Sequence, residues 1–324
     1  MSIDALVRLS QGEHLDIDTT YLVVKKIADG SITESQVGAL LMGLRLKGET
    51  PEEIAGFVKS LREMSIKVPN EELAIDVCGT GGDKSGSFNV STTVALLLPR
   101  YGIAVAKHGN RAASSKAGSI DVLEALGISY SSDPYVVARE IDEKGISFIF
   151  AQYFHPVVGK VARIRKEMGF GTIFNLLGPL LNPARLKAQL IGVYSEEIMD
   201  KLAEVVRILN MHPVVIVHGL NDHLDEVSIS GPTRVAVIYN SSIEKFIFDP
   251  KDIGLNLFPP ESIKGGDARE NASIISSILD GRGTPAQRTI VALNAAFALW
   301  IAGKAGSIEE GVRLVGGDLG VNFR

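Results

Sequence analysis

The segment Asp76-Val77-Cys78-Gly79-Thr80-Gly81-Gly82-Asp83 is followed by Ser87-Phe88-Asn89-Val90-Ser91-Thr92 and then an apolar stretch. Glycines accept positive φ and let a ligand approach the backbone. Their N–H groups can then point at phosphate oxygens, while the start of a following helix adds partial positive charge. The chemistry on offer is anion binding. Two familiar phosphate motifs fail on spacing: the sixth position of a G-x-G-x-x-G begun at Gly79 is Lys84, and no Gly-Lys-Ser/Thr follows for a Walker loop. The same glycines would equally serve a tight turn, and the same hydroxyls a helix cap.

A second loop pattern is Lys107-His108-Gly109-Asn110-Arg111, then Ser114-Ser115-Lys116-Ala117-Gly118-Ser119, ahead of a helical stripe at Val122, Leu123 and Leu126. Two neighbouring strands ending in donor-rich loops point to one polyanionic ligand held between them; the alternative is a solvated basic loop braced by His108. Asp225-Glu226 follows a β-rich run and the turn 219–223. In a loop, both carboxylates can turn toward a shared cation. Magnesium arrives with phosphates and takes one or two carboxylates plus phosphate and water oxygens, although acidic pairs on surface loops are also common. The last cluster is Gln152-Tyr153-Phe154-His155-Pro156, Arg163-Ile164-Arg165-Lys166 and Gly169-Phe170-Gly171-Thr172-Ile173-Phe174-Asn175-Leu176-Leu177-Gly178-Pro179. Its aromatics and guanidiniums could line a pocket for a flat acidic molecule. Its Phe and Leu residues also suit a core, and His155 a helix start.

Elements must position these groups. Thr33-Glu34-Ser35-Gln36 and Thr50-Pro51-Glu52-Glu53 read as capping boxes opening two helices, with stripes at Val37, Leu40, Leu41, Leu44 and at Ile54, Phe57, Val58, Leu61. From about residue 73 the period changes. Strands are expected at 73–78, 103–106, 147–151, 190–194 and 214–218, mostly with amphipathic stretches between them, so the fold class is α/β around a mainly parallel sheet flanked by helices. Runs 234–239 and 244–248, joined by 240–243, read as an edge hairpin. Helices at 268–279, 285–302 and 308–315 complete the cover.

Composition narrows the class. A chain of 324 residues predicts about two domains with a core that needs no staples. Apolar residues make up 45%, and 33 basic against 38 acidic side chains leave a net charge of −5, so neither a disordered chain nor a nucleic-acid partner is expected. The single cysteine, Cys78, excludes an internal disulfide, and residues 1–16 carry acids where a signal peptide would be apolar. The apolar run 290–302, broken by Asn294, is shorter than the ~20 residues a membrane span needs. A cytoplasmic protein with no membrane partner is expected.

Taken together, Gly79–Asp83, Asn89-Val90-Ser91-Thr92, Lys107–Arg111, Thr172–Pro179 and Asp225-Glu226, in this order, resemble the anthranilate phosphoribosyltransferases. The opening, including Arg45-Leu46-Lys47-Gly48-Glu49-Thr50, is also similar, so the resemblance runs to about Val315. It implies a small helical domain of residues 1–70 plus about 160–185, which dimerises, and a larger α/β domain of residues 71–159 plus 186–324. It further implies phosphoribosyl pyrophosphate (PRPP) and anthranilate as substrates, Mg2+ as cofactor, a homodimer, and a site at the hinge between domains. Carried over by motif, Gly79, Thr80, Gly82, Asp83, Asn89, Ser91, Thr92, Lys107 and Ser119 would hold PRPP. Ser91, Asp225 and Glu226 would hold metal. Gly79, His108, Asn110, His155, Arg165 and Gly178 would line the anthranilate path, with Arg165 nearest its carboxylate. No residue is expected to act as acid, base or nucleophile.

Three departures stand out. Gly171 replaces an arginine usual before Thr-Ile-Phe-Asn, Ala113 and Ala117 stand where serines are frequent, and the C-terminus lacks an expected long final helix. Rival readings are a pyrimidine nucleoside phosphorylase and a non-catalytic nucleic-acid-binding relative on the same scaffold.

Overall fold

The computed structural model describes residues 2–112 and 116–321; Ala113, Ser114 and Ser115 of the second loop, and the C-terminal 322–324, lie outside the described residues. Strands β1 (Ala74–Gly79), β2 (Val105–Gly109), β3 (Ile146–Phe150), β4 (Leu186–Gly192), β5 (Val214–Gly219), β6 (Thr233–Tyr239) and β7 (Ser242–Phe248) form one sheet in the spatial order β3-β2-β1-β4-β5-β6-β7. The five strands β1 to β5 run parallel, β6 pairs antiparallel with β5, and β7 pairs antiparallel with β6. The chain leaves β1 toward β2 and β3, then returns to place β4 on the other side of β1. That reversal makes a crevice outside the carboxyl ends of β1 and β4, the position where open α/β sheets bind ligands.

Both capping boxes form as the sequence predicts. Thr33 and Gln36 open the helix Glu34–Lys47, and Thr50 and Glu53 open Pro51–Glu63. Glu53 is fully buried, and its carboxylate also takes hydrogen bonds from Leu15 N at 2.8 Å and Lys47 Nζ at 2.9 Å. With helices Ser2–Ser10 and Ile17–Asp29 these make an opening bundle. A later helix, Pro156–Met168, packs on Ile17–Asp29 and Glu34–Lys47, and Phe174 meets Phe57 edge to face at 5.7 Å. One continuous apolar core joins this bundle to one face of β4–β6 through the helix Glu196–Ile208, and a second fills the opposite face around Val90–Leu97 and Pro285–Ile301.

Several boundaries move: the strand expected at 190–194 is Leu186–Gly192, which starts four residues earlier because Leu186, Ala188 and Gln189 already pair with Ala74, Ile75 and Asp76 of β1. The strand expected at 103–106 is Val105–Gly109, because Lys107, His108 and Gly109 pair with Phe148, Ile149 and Phe150 of β3; these polar residues end a strand rather than start a loop. The hairpin turn has two residues, not four: Asn240 and Ser241 both take positive φ (47° and 62°), and Tyr239 pairs with Ser242. The helix expected to end at 315 continues to Leu319 through Gly316-Gly317. It packs on Pro285–Ile301, and Arg288 Nη1 donates to Leu319 O at 2.7 Å.

Candidate functional site

Because β2 reaches Gly109, successive side chains Lys107 and His108 leave opposite faces of the sheet. Lys107, 2% exposed, extends beneath the first loop, where Nζ donates to Val77 O at 2.8 Å and to Ser91 Oγ at 3.4 Å. His108 turns the other way. Its Nδ1 bonds the Gly178 carbonyl at 3.2 Å, and its ring meets His155 edge to face at 5.2 Å.

On the Lys107 side, the loop after β1 closes against three other segments. Thr80 N donates to Gly192 O at 2.9 Å, while its hydroxyl is buried without a partner. Gly81 and Gly82 are exposed and adopt φ of 68° and 88°, and a side chain at Gly82 would meet the Tyr194 ring at 3.3 Å. Asp83 Oδ1 accepts from Ser85 N at 3.1 Å, and its buried Oδ2 has no partner. Asn89 precedes the helix Val90–Leu97, donates to Ala117 O at 3.2 Å and accepts from Asn271 at 2.9 Å. Thr92 Oγ1 donates to Ser119 Oγ at 3.2 Å, joining the starts of the helices Val90–Leu97 and Ser119–Ala125.

The acidic pair arrives from the loop after β5. Asp225 Oδ2 accepts from Gly81 N at 2.8 Å, and Glu226 Oε1 accepts from Ser91 N at 3.1 Å. Desolvation, then the nearby Asp83 carboxylate, push Asp225 up to about 7; desolvation and Asp225 itself push Glu226 well above the carboxylate range. Three carboxyls therefore share one small region with Lys107 as a neighbouring cation. Among the described residues no three His, Cys, Asp or Glu side chains close around a common point. A magnesium ion does not require such a cage, since phosphate and water oxygens complete its shell. Raised carboxyls at Asp225 and Glu226 and a free Oδ2 on Asp83 are the donors such an ion would relieve.

On the His108 side, desolvation followed by His155 lowers His108 to about 3, and desolvation followed by Lys67 lowers His155 to about 4. Both rings are thus neutral at physiological pH. Arg165 stands on the helix Pro156–Met168, its guanidinium 5.2 Å over the Phe174 ring and its Nη2 3.5 Å from Asn175 Oδ1; burial lowers it too. The short turn Phe174–Leu180 joins Arg165 to the histidine pair. Asn110 Oδ1 accepts from Gln152 at 3.5 Å at the rim. At Gly171 the nearest side chain is Asn175, 3.8 Å from where a Cβ would lie, so the position leaves room beside Arg165's partner.

The sequence reading missed a buried polar network under the site. Asp76, fully buried and raised by desolvation, accepts from His108 N at 3.2 Å, from Asn182 Nδ2 at 2.8 Å and from Gln189 Nε2 at 3.4 Å. Gln189 also donates to Pro179 O and accepts from His212, at 2.9 and 2.8 Å. This network fixes the 178–182 turn against β1, β2 and β4. The available signal was polar residues inside apolar runs: Asn182 after Leu180-Leu181, and Gln189 before Leu190-Ile191.

Comparisons with known proteins give the family. Residues 71–319 match the model of the glycosyl transferase family a/b domain, and residues 3–65 match its helical bundle domain. The chain is 54% identical over 310 residues to the anthranilate phosphoribosyltransferase of Dictyoglomus turgidum, covering 96% of this chain and 92% of that one. Among solved structures it resembles the anthranilate phosphoribosyltransferase of Thermus thermophilus (TM-score 0.90, 39% identity, 98% of this chain and 94% of that one). It also resembles the enzyme of that name from Saccharomyces cerevisiae in complex with PRPP and Mg (TM-score 0.85, 25% identity, 97% and 92%).

Proposed function

We propose that this chain, which belongs to the anthranilate phosphoribosyltransferase family, transfers the phosphoribosyl group of PRPP to the amine of anthranilate, giving N-(5-phosphoribosyl)anthranilate and pyrophosphate. The observation that carries the reading is the split at β2: Lys107 serves a phosphate-binding side, and His108 with the neutral His155 an acceptor side, of one crevice.

On the donor side, the exposed glycine loop at Gly82, the hydroxyls of Thr80, Ser91, Thr92 and Ser119, the Asn89 amide and Lys107 hold the phosphates and ribose, with Gly79 making room for Asp225. Asp83, Asp225, Glu226 and Ser91 suit Mg2+, which when bound offsets charge on the departing pyrophosphate. On the acceptor side, Arg165 pairs the anthranilate carboxylate, while His108, His155, Asn110, Gly178 and Gly79 line its approach.

The aniline nitrogen is a usable neutral nucleophile, so no strong base is needed. Its lone pair forms the bond to C1 as the C1–O bond to pyrophosphate breaks, and the nitrogen then releases one proton to water. Donors aimed at the leaving group act more strongly as its charge grows, which lowers the barrier.

The domain assignment belongs to this reading. Residues 1–70 with about 160–185 form the helical part, and residues 71–159 with 186–324 the α/β part, which close on each other at the crevice. Ile3, Val7, Met42 and Leu46, exposed on two helices of the bundle that pack together, support a homodimer formed through this bundle. We place the enzyme in the cytoplasm, where an unpaired, buried Cys78 stays reduced; among the described residues no helix is long and apolar enough to cross a membrane. Purified protein with magnesium, PRPP and anthranilate should consume anthranilate fluorescence, and should not cleave thymidine with phosphate. The reverse result overturns the assignment.

A further inference from the structure

The helix Pro285–Ile301 is apolar from Ile290 to Leu299 except at Asn294, which is 1% exposed. A buried amide is costly unless protein groups replace the water it loses. Here they do. Asn294 Oδ1 accepts from Val227 N at 2.8 Å, and its Nδ2 donates to Val227 O at 3.0 Å and to Ile290 O at 2.9 Å. The side chain therefore satisfies both backbone polar groups of Val227, as a neighbouring strand would. Val227 directly follows Asp225 and Glu226, within a connection that runs from the end of β5 at Gly219 to the start of β6 at Thr233. Two adjacent carboxylates in this irregular stretch must reach two different amides, Gly81 N and Ser91 N. That requires a fixed backbone immediately beside them, and the central helix supplies one through Asn294.

We propose that Asn294 is a positioning residue whose amide clamps Val227 and so sets Asp225 and Glu226 against the first phosphate loop. Its consequence for turnover rests on the function proposed above; the clamp itself does not. Replacing Asn294 with leucine keeps the branching at Cγ and the number of heavy atoms and removes all three hydrogen bonds. Amide hydrogen exchange of ligand-free protein should then speed up tenfold or more at Val227, Gly81 and Ser91. The magnesium concentration for half-maximal rate and the KM for PRPP should rise about tenfold or more, with the KM for anthranilate within twofold of wild type. Leu293→Ala, a neighbouring core truncation, should lower the Tm without either change. If Asn294→Leu does not fold, Asn294→Ser, which leaves less of the amide's bonding, takes its place. Exchange at those three amides no faster than in Leu293→Ala overturns the clamp. Faster exchange in Asn294→Leu, together with a wild-type protein that forms no product, supports the clamp while refuting the assigned reaction.

Discussion

The carboxylate of Asp225 accepts a hydrogen bond from the backbone N–H of Gly81, 2.8 Å away across 144 positions of sequence. The contact exists because Asp225 enters between Gly79 and Gly192, which face each other in register at the carboxyl ends of β1 and β4. A Cβ on Gly79 would lie 2.3 Å from Asp225 Oδ2, and one on Gly192 only 1.6 Å from Asp225 O. Neither leaves room for a methyl group.

Gly192→Ala should therefore displace the acidic loop rather than the sheet. We expect a loss of about 1–3 kcal/mol from overpacking and a rise in the KM for PRPP that exceeds any change for anthranilate. Thermal unfolding with steady-state kinetics checks it, and an unchanged PRPP KM would contradict the role given to this contact.

Neutralising the carboxylates should separate activity from stability. Asp225 holds its proton to about pH 7 in the folded chain but only to about the ordinary carboxylate value when unfolded. Between those values the folded state binds more protons, so this group's contribution to stability falls as pH rises through that window and stays low above it. Asp225→Asn should remove that slope and make ligand-free protein more stable above pH 7, while lowering turnover by about a hundredfold or more through loss of leaving-group stabilisation. The double change with Glu226→Gln, and Asp83→Asn alone, should likewise lower turnover far more than they alter folding. Unfolding curves from pH 4 to 8, set beside rates at limiting magnesium, decide the matter; wild-type rates in these variants would be fatal to the metal assignment.

Arg165 calls for a different signature. Removing a charge-assisted pair costs about 1.5–3 kcal/mol, so Arg165→Ala should raise the anthranilate KM by roughly ten- to a hundredfold and leave PRPP affinity nearly unchanged. Arg165→Lys should rescue little, because a lysine neither lies flat on Phe174 nor offers a paired fork to a carboxylate. Equal weakening for both substrates would undo the division between the two faces of β2.

How much of this is legible in the sequence depends on sequence distance. The capping boxes at Thr33 and Thr50 need only four consecutive residues, and both form where the pattern puts them. The glycine loop and the acidic pair are recognisable by residue type, but nothing local shows Asp225 going to Gly81 and Glu226 to Ser91. Lys107 and His108 look like loop residues until β3 pairs with them, and only that pairing sends them to opposite faces. The turn at Asn240-Ser241 lacks the glycine that marks a two-residue hairpin, so positive φ on two non-glycine residues leaves no local signal. Asp76, Asn182 and Gln189 are unremarkable singly; their meaning lies in contacts spanning about a hundred residues.

The histidine pair gives the last test. Burial lowers His108 to about 3 and His155 to about 4, whereas both titrate near 6.5 when unfolded. Below pH 6.5 the unfolded chain takes up protons that the folded chain refuses, so the contribution of these groups to stability is intact above 6.5 and is lost as pH falls toward 4. His155→Phe should flatten that acid limb, and its effect opposes the Asp225 contribution, so the variants must be compared with wild type pH by pH. The same neutrality keeps imidazolium charge out of the acceptor pocket, leaving Arg165 as the cation assigned to the anthranilate carboxylate. The KM for anthranilate should then stay constant between pH 6 and 8. A KM that climbs with an apparent pKa near 6.5 would show that a protonated imidazole, not Arg165 alone, holds the acceptor.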